Sequence, residues 1–420
     1  MPVDLHITDV AMIAHADVRL GDLVVLLGPN DAGKSTLATI IYAVCRAQLR
    51  EQVVYAQPGS SLSRRLAFRL PAVPEFDKRY VKSAGRDLVE AINSGGRKDF
   101  IEHFPESIKR LMRRPIEKIL QQYAESVGSE LEHCFGESLQ GISRKGRPPG
   151  NLSILVRHND EWTATLTKPR GRRPTYKVEV REPSGEFWEN FLTNYLTTQR
   201  WRDLTFRLRS RPPNDLQVEG ELAVIFDGLH DFYFRAFPVN AHYLPAARSG
   251  ILHSHRALAA ALVRQSSFAS IEGILIPTLP GTVTDFIGKL IELNPTQAGP
   301  YSKTASQLED EILHGKIELQ ATGPTSPEIR FAAGTGANHA LHRTSSMVSE
   351  LAPVVLFLRH VLHRGDLLLI EEPESHLHPL PQVRFAQTLA RLVAGGARVV
   401  ITTHSDYFLN QLNNLIKLNT

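Results

Sequence analysis

The nine residues Gly28-Pro29-Asn30-Asp31-Ala32-Gly33-Lys34-Ser35-Thr36 constrain this 420-residue chain more than any other stretch. They follow the apolar run Leu23 to Leu27, which reads as a buried strand, and precede Leu37 to Val44, which reads as a helix. In that context a G-x-x-x-x-G-K-[ST] spacing predicts a phosphate-binding loop rather than a chance glycine turn. Gly28 and Gly33 let the backbone approach phosphate with no Cβ in the way. The amides of Gly33 to Thr36 are expected to face the anion from a helix N-terminus, where the dipole also favours negative charge. Lys34 is expected on the β- and γ-phosphates and Ser35 on Mg²⁺, so that Gly28, Asn30, Gly33, Lys34, Ser35 and Thr36 form the contacts of a nucleoside triphosphate.

Composition narrows the class. A hydrophobic fraction of 42% and a charged fraction of 22% are those of an ordinary soluble globular protein. The length suits a large core and more than one structural unit. No apolar run approaches the eighteen or so residues that span a bilayer, so no membrane partner is expected. Met1 to His6 lacks the pattern of a signal peptide. Cys45 and Cys134 are too few for a disulfide framework, which predicts a cytoplasmic protein. The formal net charge of +4 suits a polyanionic partner and equally a mildly basic enzyme without one.

Along the chain, Leu5 to Val18 reads as short strands and Lys78 to Glu132 as helix. Ile108, Leu111, Met112, Ile116 and Leu120 mark one buried face, and Pro115 predicts a break or kink. Leu152 to Val156, Trp162 to Leu166 and Tyr176 to Val180 read as an antiparallel meander. Two basic loops flank it, one with Arg144, Lys145 and Arg147 and one with Lys168, Arg170, Arg172 and Arg173. They are candidates for gripping DNA phosphates without reading sequence, or else a solvated loop face. Trp162 and Tyr176 would stack on bases or, with less asked of them, fill the core of that small sheet. Phe187 to Leu204 reads as helix, His242 to Leu244 as strand, and His253 to Gln265, Thr282 to Leu293 and Ser302 to His314 as helices. A hairpin is expected between Lys316 and Phe331, then a helix from Val348 to His363. Strand, helix, strand and helix follow over Asp366–Ile370, Gln382–Ala394, Arg398–Thr402 and Tyr407–Leu415.

The second half of a nucleotide site is expected in that last stretch. Leu367 to Ile370 is an apolar strand ending in Glu371 and Glu372; one acid would hold Mg²⁺ and the other orient or deprotonate the attacking water. Pro373 argues against the alternative of a glutamate pair capping a helix. Val399 to Ile401 is another buried strand, and His404 at its end is a candidate contact of the γ-phosphate. Thr344-Ser345-Ser346 stands before a helix, either as an ordinary cap or as an anion site for a second molecule's nucleotide. The pairs His253/His255 and His376/His378 each lack a third metal ligand at a recognisable spacing.

Gly28 to Thr36, Ser345 to Pro353, Ile370 to Pro379 and Ile401 to Ser405, with Tyr243 to Gly250, resemble the prokaryotic ABC-type ATPases of the RecF, SMC and OLD-like group. The resemblance covers the first fifty and about the last hundred residues and says little of 48–237. It implies Glu371 as the Walker B acid, where aspartate is commoner, Glu372 as the catalytic base and His404 as the switch histidine. It further implies Glu374 to His378 as a loop crossing a dimer interface, and Ser345 or Ser346 as the signature serine acting in trans, without the usual Gly-Gly. Gln57 is the candidate for the Q-loop.

The expected fold is therefore α/β, a P-loop ABC-type ATPase head with a mostly parallel core sheet, an antiparallel β lobe and a large α+β insertion. Residues 1–50 and 238–420 would make the ATPase core, the latter with a helical insertion at about 253–314, and 51–237 the insertion. The expected function is an ATPase using ATP and Mg²⁺ in a nucleotide-sandwich homodimer or higher assembly. The resemblance implies antiphage defence or DNA repair. The sixteen residues after His404 leave no room for a nuclease domain, which favours a regulatory ATPase controlling a separate nuclease or toxin effector. The alternatives are a RecF-like DNA-binding ATPase in repair and a low-turnover ATP-locked scaffold.

Overall fold

A computed structural model describes residues 3–50, 76, 78–143, 152–158, 161–169, 171–209, 215–254, 279–296, 298–320, 328–334 and 336–419. Strands β1 (Val3–Val10) and β2 (Ile13–Leu20) form a hairpin, and β3 (Leu23–Leu27) leads through the glycine loop into α1 (Lys34–Arg50). Helices α2 (Lys78–Ser94), α3 (Arg97–Glu102) and α4 (Glu106–Phe135) precede the meander β4 (Leu152–His158), β5 (Trp162–Lys168) and β6 (Thr175–Val180). Then come α5 (Gly185–Tyr195), α6 (Thr198–Arg209), α7 (Asp215–Phe234) and strand β7 (Ala241–Leu244). The remainder runs α8 (Gly281–Ile291), α9 (Ser302–Leu308), β8 (Gly315–Gln320), β9 (Glu328–Ala333), β10 (Asn338–Ala340) and α10 (Ser346–Leu356). It closes with β11 (Leu367–Glu371), α11 (Pro379–Ala394), β12 (Arg398–Thr403) and α12 (Asp406–Asn419).

Beside a small antiparallel sheet in the order β10-β9-β8, which contains the hairpin expected between Lys316 and Phe331, two larger sheets organise these elements. One is antiparallel, in the order β2-β1-β4-β5-β6. Its strands alternate, so Leu5 and Ile7, Ile154 and Val156, and Trp162, Ala164 and Leu166 are buried together. This sheet joins residues on both sides of the division expected at residue 50, because β1 pairs with β4. The other is parallel, in the order β3-β12-β11-β7. Every residue of β11 is buried, as a central parallel strand covered on both faces requires. Leu367, Leu369 and Val400 face one core, with α1, α4 and the antiparallel sheet. Leu368, Ile370, Val399 and Ile401 face a second core, with α10 and α11. The parallel sheet is thus the wall between two hydrophobic cores, and the expected α/β fold class with its antiparallel lobe is what the chain adopts.

The break expected at Pro115 does not occur. α4 runs unbroken through it from Glu106 to Phe135, and Pro115 is itself buried on the packed face. A helix-interior proline costs about 3 kcal/mol, whereas each large apolar side chain buried contributes roughly 1.5–3 kcal/mol. The buried Ile108, Leu111, Met112, Ile116 and Leu120 therefore outweigh it. The base-stacking alternative for Trp162 and Tyr176 is also settled by packing. Trp162 is 1% exposed and packs on Tyr123 and Phe237. Tyr176 lies so close to α4 that a Cβ on Gly128 would stand 2.5 Å from its hydroxyl.

Candidate functional site

Because the four strands of the second sheet are parallel, Leu27, Thr403, Glu371 and Leu244 all end at one edge. Doubly wound sheets place their ligands at that edge. It gathers the glycine loop, His404, Glu372 and Pro245-Ala246.

In the loop, Asp31 has φ 60° and Gly33 has φ 84°, left-handed turns that bring the chain round onto α1. A Cβ on Gly33 would stand 3.2 Å from Ile13 Cγ1, a tight contact that adds to the positive φ, which is what calls for glycine there. Leu37 N–H donates to Gly33 O at 2.9 Å, closing the first turn of the helix. The amides ahead of that bond are the ones a helix start leaves without in-helix acceptors. Lys34 Nζ donates to the carbonyls of Gly28 (2.8 Å) and Pro29 (2.6 Å) and lies 3.3 Å from His404 Nδ1.

His404 Nε2 in turn lies 2.9 Å from Glu372 Oε1, and Ser375 Oγ donates to Glu372 Oε2 at 3.2 Å. An ammonium has protons only to give, so His404 Nδ1 accepts from Lys34 and the Nε2 proton goes to Glu372. Glu372 stands at φ 42°, an unfavourable conformation for a side chain of its kind. Its N–H is held by Thr402, donating to the backbone oxygen at 3.0 Å with the hydroxyl at 3.2 Å.

Glu371 is 7% exposed. Its Oε2 accepts from Ala246 N–H at 2.9 Å, while Oε1 is buried with no hydrogen-bond partner among the described residues. The Tyr243 hydroxyl, 3.4 Å from Thr39 Oγ1, is kept protonated: burial first, then the charge of Glu371, raise its pKa well above the ordinary value. Glu374 Oε1 accepts from Thr403 Oγ1 (2.5 Å) and from His404 N–H (2.9 Å), so this carboxylate anchors the main chain that carries the histidine.

Ser345 is the N-cap of α10, its hydroxyl accepting from Val348 N–H at 3.4 Å, and Ser346 is the first helical residue. Both are exposed. Of the basic loops, Arg144, Lys145, Arg147 and Arg170 lie outside the described residues, as do Gln57 and His255. Lys168 is turned back onto its own loop, donating to the carbonyls of Pro169 and Arg172, whereas Arg172 and Arg173 are exposed. Lys168, Arg172 and Arg173 lie at the β5–β6 turn of the antiparallel sheet, not at the edge that carries the glycine loop.

The motifs in the sequence do not mark Glu374 as an anchor, nor do they mark Arg248, which is fully buried. Arg248 Nη1 donates to Glu371 O at 2.7 Å and Nη2 to Glu372 O at 3.3 Å. The signal available was an arginine in an otherwise small and apolar strand-end segment, Leu244 to Gly250.

A glycine loop opening a helix, paired carboxylates and a strand-end histidine at one edge of a parallel sheet define the class of P-loop nucleotide-binding proteins. Within that class, residues 274–409 match the family model described as the AAA ATPase domain. The match takes in Ser345, Ser346, Glu371, Glu372 and His404; the loop at Gly28 precedes it. The expected resemblance to ATPases of this kind rests on this match and on the motifs. No curated protein matches the chain. Solved structures that it resembles include an Smc head bound to the C-winged helix domain of ScpA, at 11% identity and TM-score 0.42, covering 97% of this chain and 90% of that one. The SMC head domain from Thermotoga maritima is 12% identical, with TM-score 0.37 and coverage of 98% and 92%. An Smc head with an extended coiled coil, bound to the C-terminal domain of ScpA and derived from Pyrococcus furiosus, is 12% identical, with TM-score 0.39 and coverage of 98% and 92%. Among the described residues no helix is long and apolar enough to cross a membrane.

Proposed function

We propose that the chain binds and hydrolyses ATP at the edge of the parallel sheet, in a site completed by a second copy of itself. The observation that carries this reading is the chain of contacts from Lys34 through His404 to Glu372, which joins the glycine loop to the acid strand across a separation of 370 residues at its first step. Gly28, Asn30, Gly33 and Thr36 cradle the phosphates with their main chain, and Lys34 neutralises the β- and γ-phosphate charge. Glu372 orients the attacking water and takes its proton, with the phosphoryl group passing in line from ADP to that water. His404, donating its Nε2 proton to Glu372, orients that carboxylate toward the water beside the γ-phosphate. Ser345 or Ser346 meets the nucleotide of the other copy from an exposed helix N-terminus.

The residues present fit a magnesium ion. Glu371 Oε1 is a buried carboxylate oxygen without a partner among the described residues, and with the Ser35 hydroxyl it supplies the hard oxygen donors that Mg²⁺ selects. Ser35 and Glu371 would hold the ion, which supplies charge neutralisation to the β- and γ-phosphate oxygens.

Lys34→Ala tests the reading directly. ATP binding measured by calorimetry should be lost, and retained binding would sink the proposal. Of the two cellular settings that the resemblance implies, antiphage defence and DNA repair, we propose antiphage defence, with this chain regulating a separate effector. Its test is plaque formation on cells carrying the wild-type chain with its neighbouring genes, set against the Lys34→Ala variant. Contact with DNA through Arg172 and Arg173 would show as a salt-dependent affinity that Arg172→Glu and Arg173→Glu reduce for all sequences alike.

A further inference from the structure

The segment from Tyr243 to Gly250 has no part in the chemistry proposed above beyond the Ala246 amide, yet it carries a charge that is wholly buried. Arg248 is 0% exposed and lies in the helical turn that follows β7. Its guanidinium is shared between two places. Nη1 and Nη2 donate to the main-chain carbonyls of Glu371 and Glu372, and Nε donates to Glu350 O at 3.1 Å and lies 3.2 Å from Glu350 Oε2. Ser249 Oγ donates to the other oxygen of the same carboxylate. Glu350 is 3% exposed and sits in α10, just over one turn from the cap Ser345.

Burying an arginine is unfavourable unless its donors and its charge are all met, and the two ends met here are functionally distinct. One is the main chain of the residues read as the magnesium acid and the base, including Glu372 at φ 42°. A conformation of that kind persists only where its surroundings hold it. The other is the helix whose N-terminus is read as facing a second copy's nucleotide.

We infer that Arg248 is a positioning residue that clamps the Glu371-Glu372 main chain to Glu350, so that Glu372 is set for the water only while α10 is seated. Engagement of Ser345 or Ser346 by the second copy's nucleotide then steadies the base on this copy. The inference rests on the reading of Glu372 as the base and of α10 as the trans element.

Two variants of the full chain test it. Glu350→Gln removes the charge but keeps the size and an oxygen for Ser249. Arg248→Lys keeps the charge but loses the planar fork that reaches both carbonyls and Glu350 at once. In each, affinity for a non-hydrolysable ATP analogue should stay within about threefold of wild type while kcat falls at least about tenfold, the split expected of lost transition-state alignment. Either change should add little in a Glu372→Gln background, because the group being positioned is already gone. An unchanged kcat in folded Glu350→Gln protein overturns the inference and leaves the ATPase reading standing. So does a loss of analogue affinity as large as the loss of kcat, which would mark simple scaffolding. Wild-type protein that neither binds nor hydrolyses ATP overturns the ATPase reading and the inference with it. If Arg248→Lys fails to fold, Glu350→Gln alone decides.

Discussion

His404 Nε2 lies 2.9 Å from Glu372 Oε1, two side chains that come from the ends of neighbouring parallel strands, β12 and β11. Each is fixed from behind by the other's loop. Glu374, two residues past Glu372, holds the His404 amide, and Thr402, two residues before His404, holds the Glu372 amide. The two side chains are therefore held as one unit, with Lys34 against the far side of the imidazole.

A unit of this kind gives non-additive kinetics. Glu372→Gln should lower hydrolysis by about 10²–10⁴, the range for a positioned base, and leave ATP binding within a few-fold. His404→Ala should lower hydrolysis as well, and the double variant should be little worse than Glu372→Gln alone. Steady-state phosphate release measures all three. Losses that simply multiply would show that the two side chains act independently.

Gly33→Ala tests the shape of the loop. A φ of 84° costs an L-residue about 1–2 kcal/mol, and the new methyl would meet Ile13 Cγ1 at 3.2 Å. The expected outcome is a thermal midpoint lower by about 2–5 °C and ATP affinity weakened at least about tenfold, a factor worth about 1.4 kcal/mol. Unchanged affinity would mean that the loop does not approach the phosphates through this turn.

The parts of this site that the sequence displays are those where chemistry and local structure coincide. Gly28 to Thr36 and Leu367 to Glu372 each place an apolar strand directly before the functional residues, so pattern and motif are read from one window. Arg248 is opaque for the opposite reason. Its partners lie 102 and 123 residues away, and nothing in Ala247-Arg248-Ser249 distinguishes a buried clamp from an exposed charge. Pro115 misleads because local propensity predicts a break that long-range burial along α4 overrides. By composition Lys168 belongs with its basic neighbours, whereas its ammonium satisfies the carbonyls of its own turn.

Trp162 decides between a packing and a recognition role for the small sheet. Its ring lies 5.6 Å from that of Tyr123 and 6.1 Å from that of Phe237, with which it stacks. Trp162→Ala should therefore cost about 3–5 kcal/mol, as for other large aromatic deletions in a core. Urea unfolding checks this. A stable variant that had merely lost nucleic-acid affinity would contradict the packing account.

The last prediction concerns acid stability and a cluster that ties the helix of the glycine loop to the rest of the molecule. Asp285 of α8 accepts from Arg46 Nη1 at 2.6 Å and from the Tyr42 hydroxyl at 3.0 Å, both on α1, and lies 3.3 Å from His133 Nε2 on α4. Burial alone would raise the Asp285 pKa; the His133 hydrogen bond and the Arg46 charge outweigh it and hold the carboxyl below its ordinary value. A depressed carboxyl pKa contributes stability that is fully present above the unfolded-state value of about 3.9 and is lost as pH falls through the folded-state value. Asp285→Asn should therefore cost about 3 kcal/mol at pH 7, the lower end for breaking a buried pair because Arg46 and Asp285 are partly exposed. The gap between variant and wild type should narrow below pH 4 as the wild-type carboxylate takes up its proton. Urea midpoints at pH 7 and near pH 3 measure both limbs. An equal loss at the two pH values would assign the stabilisation to packing of the side chain rather than to its charge.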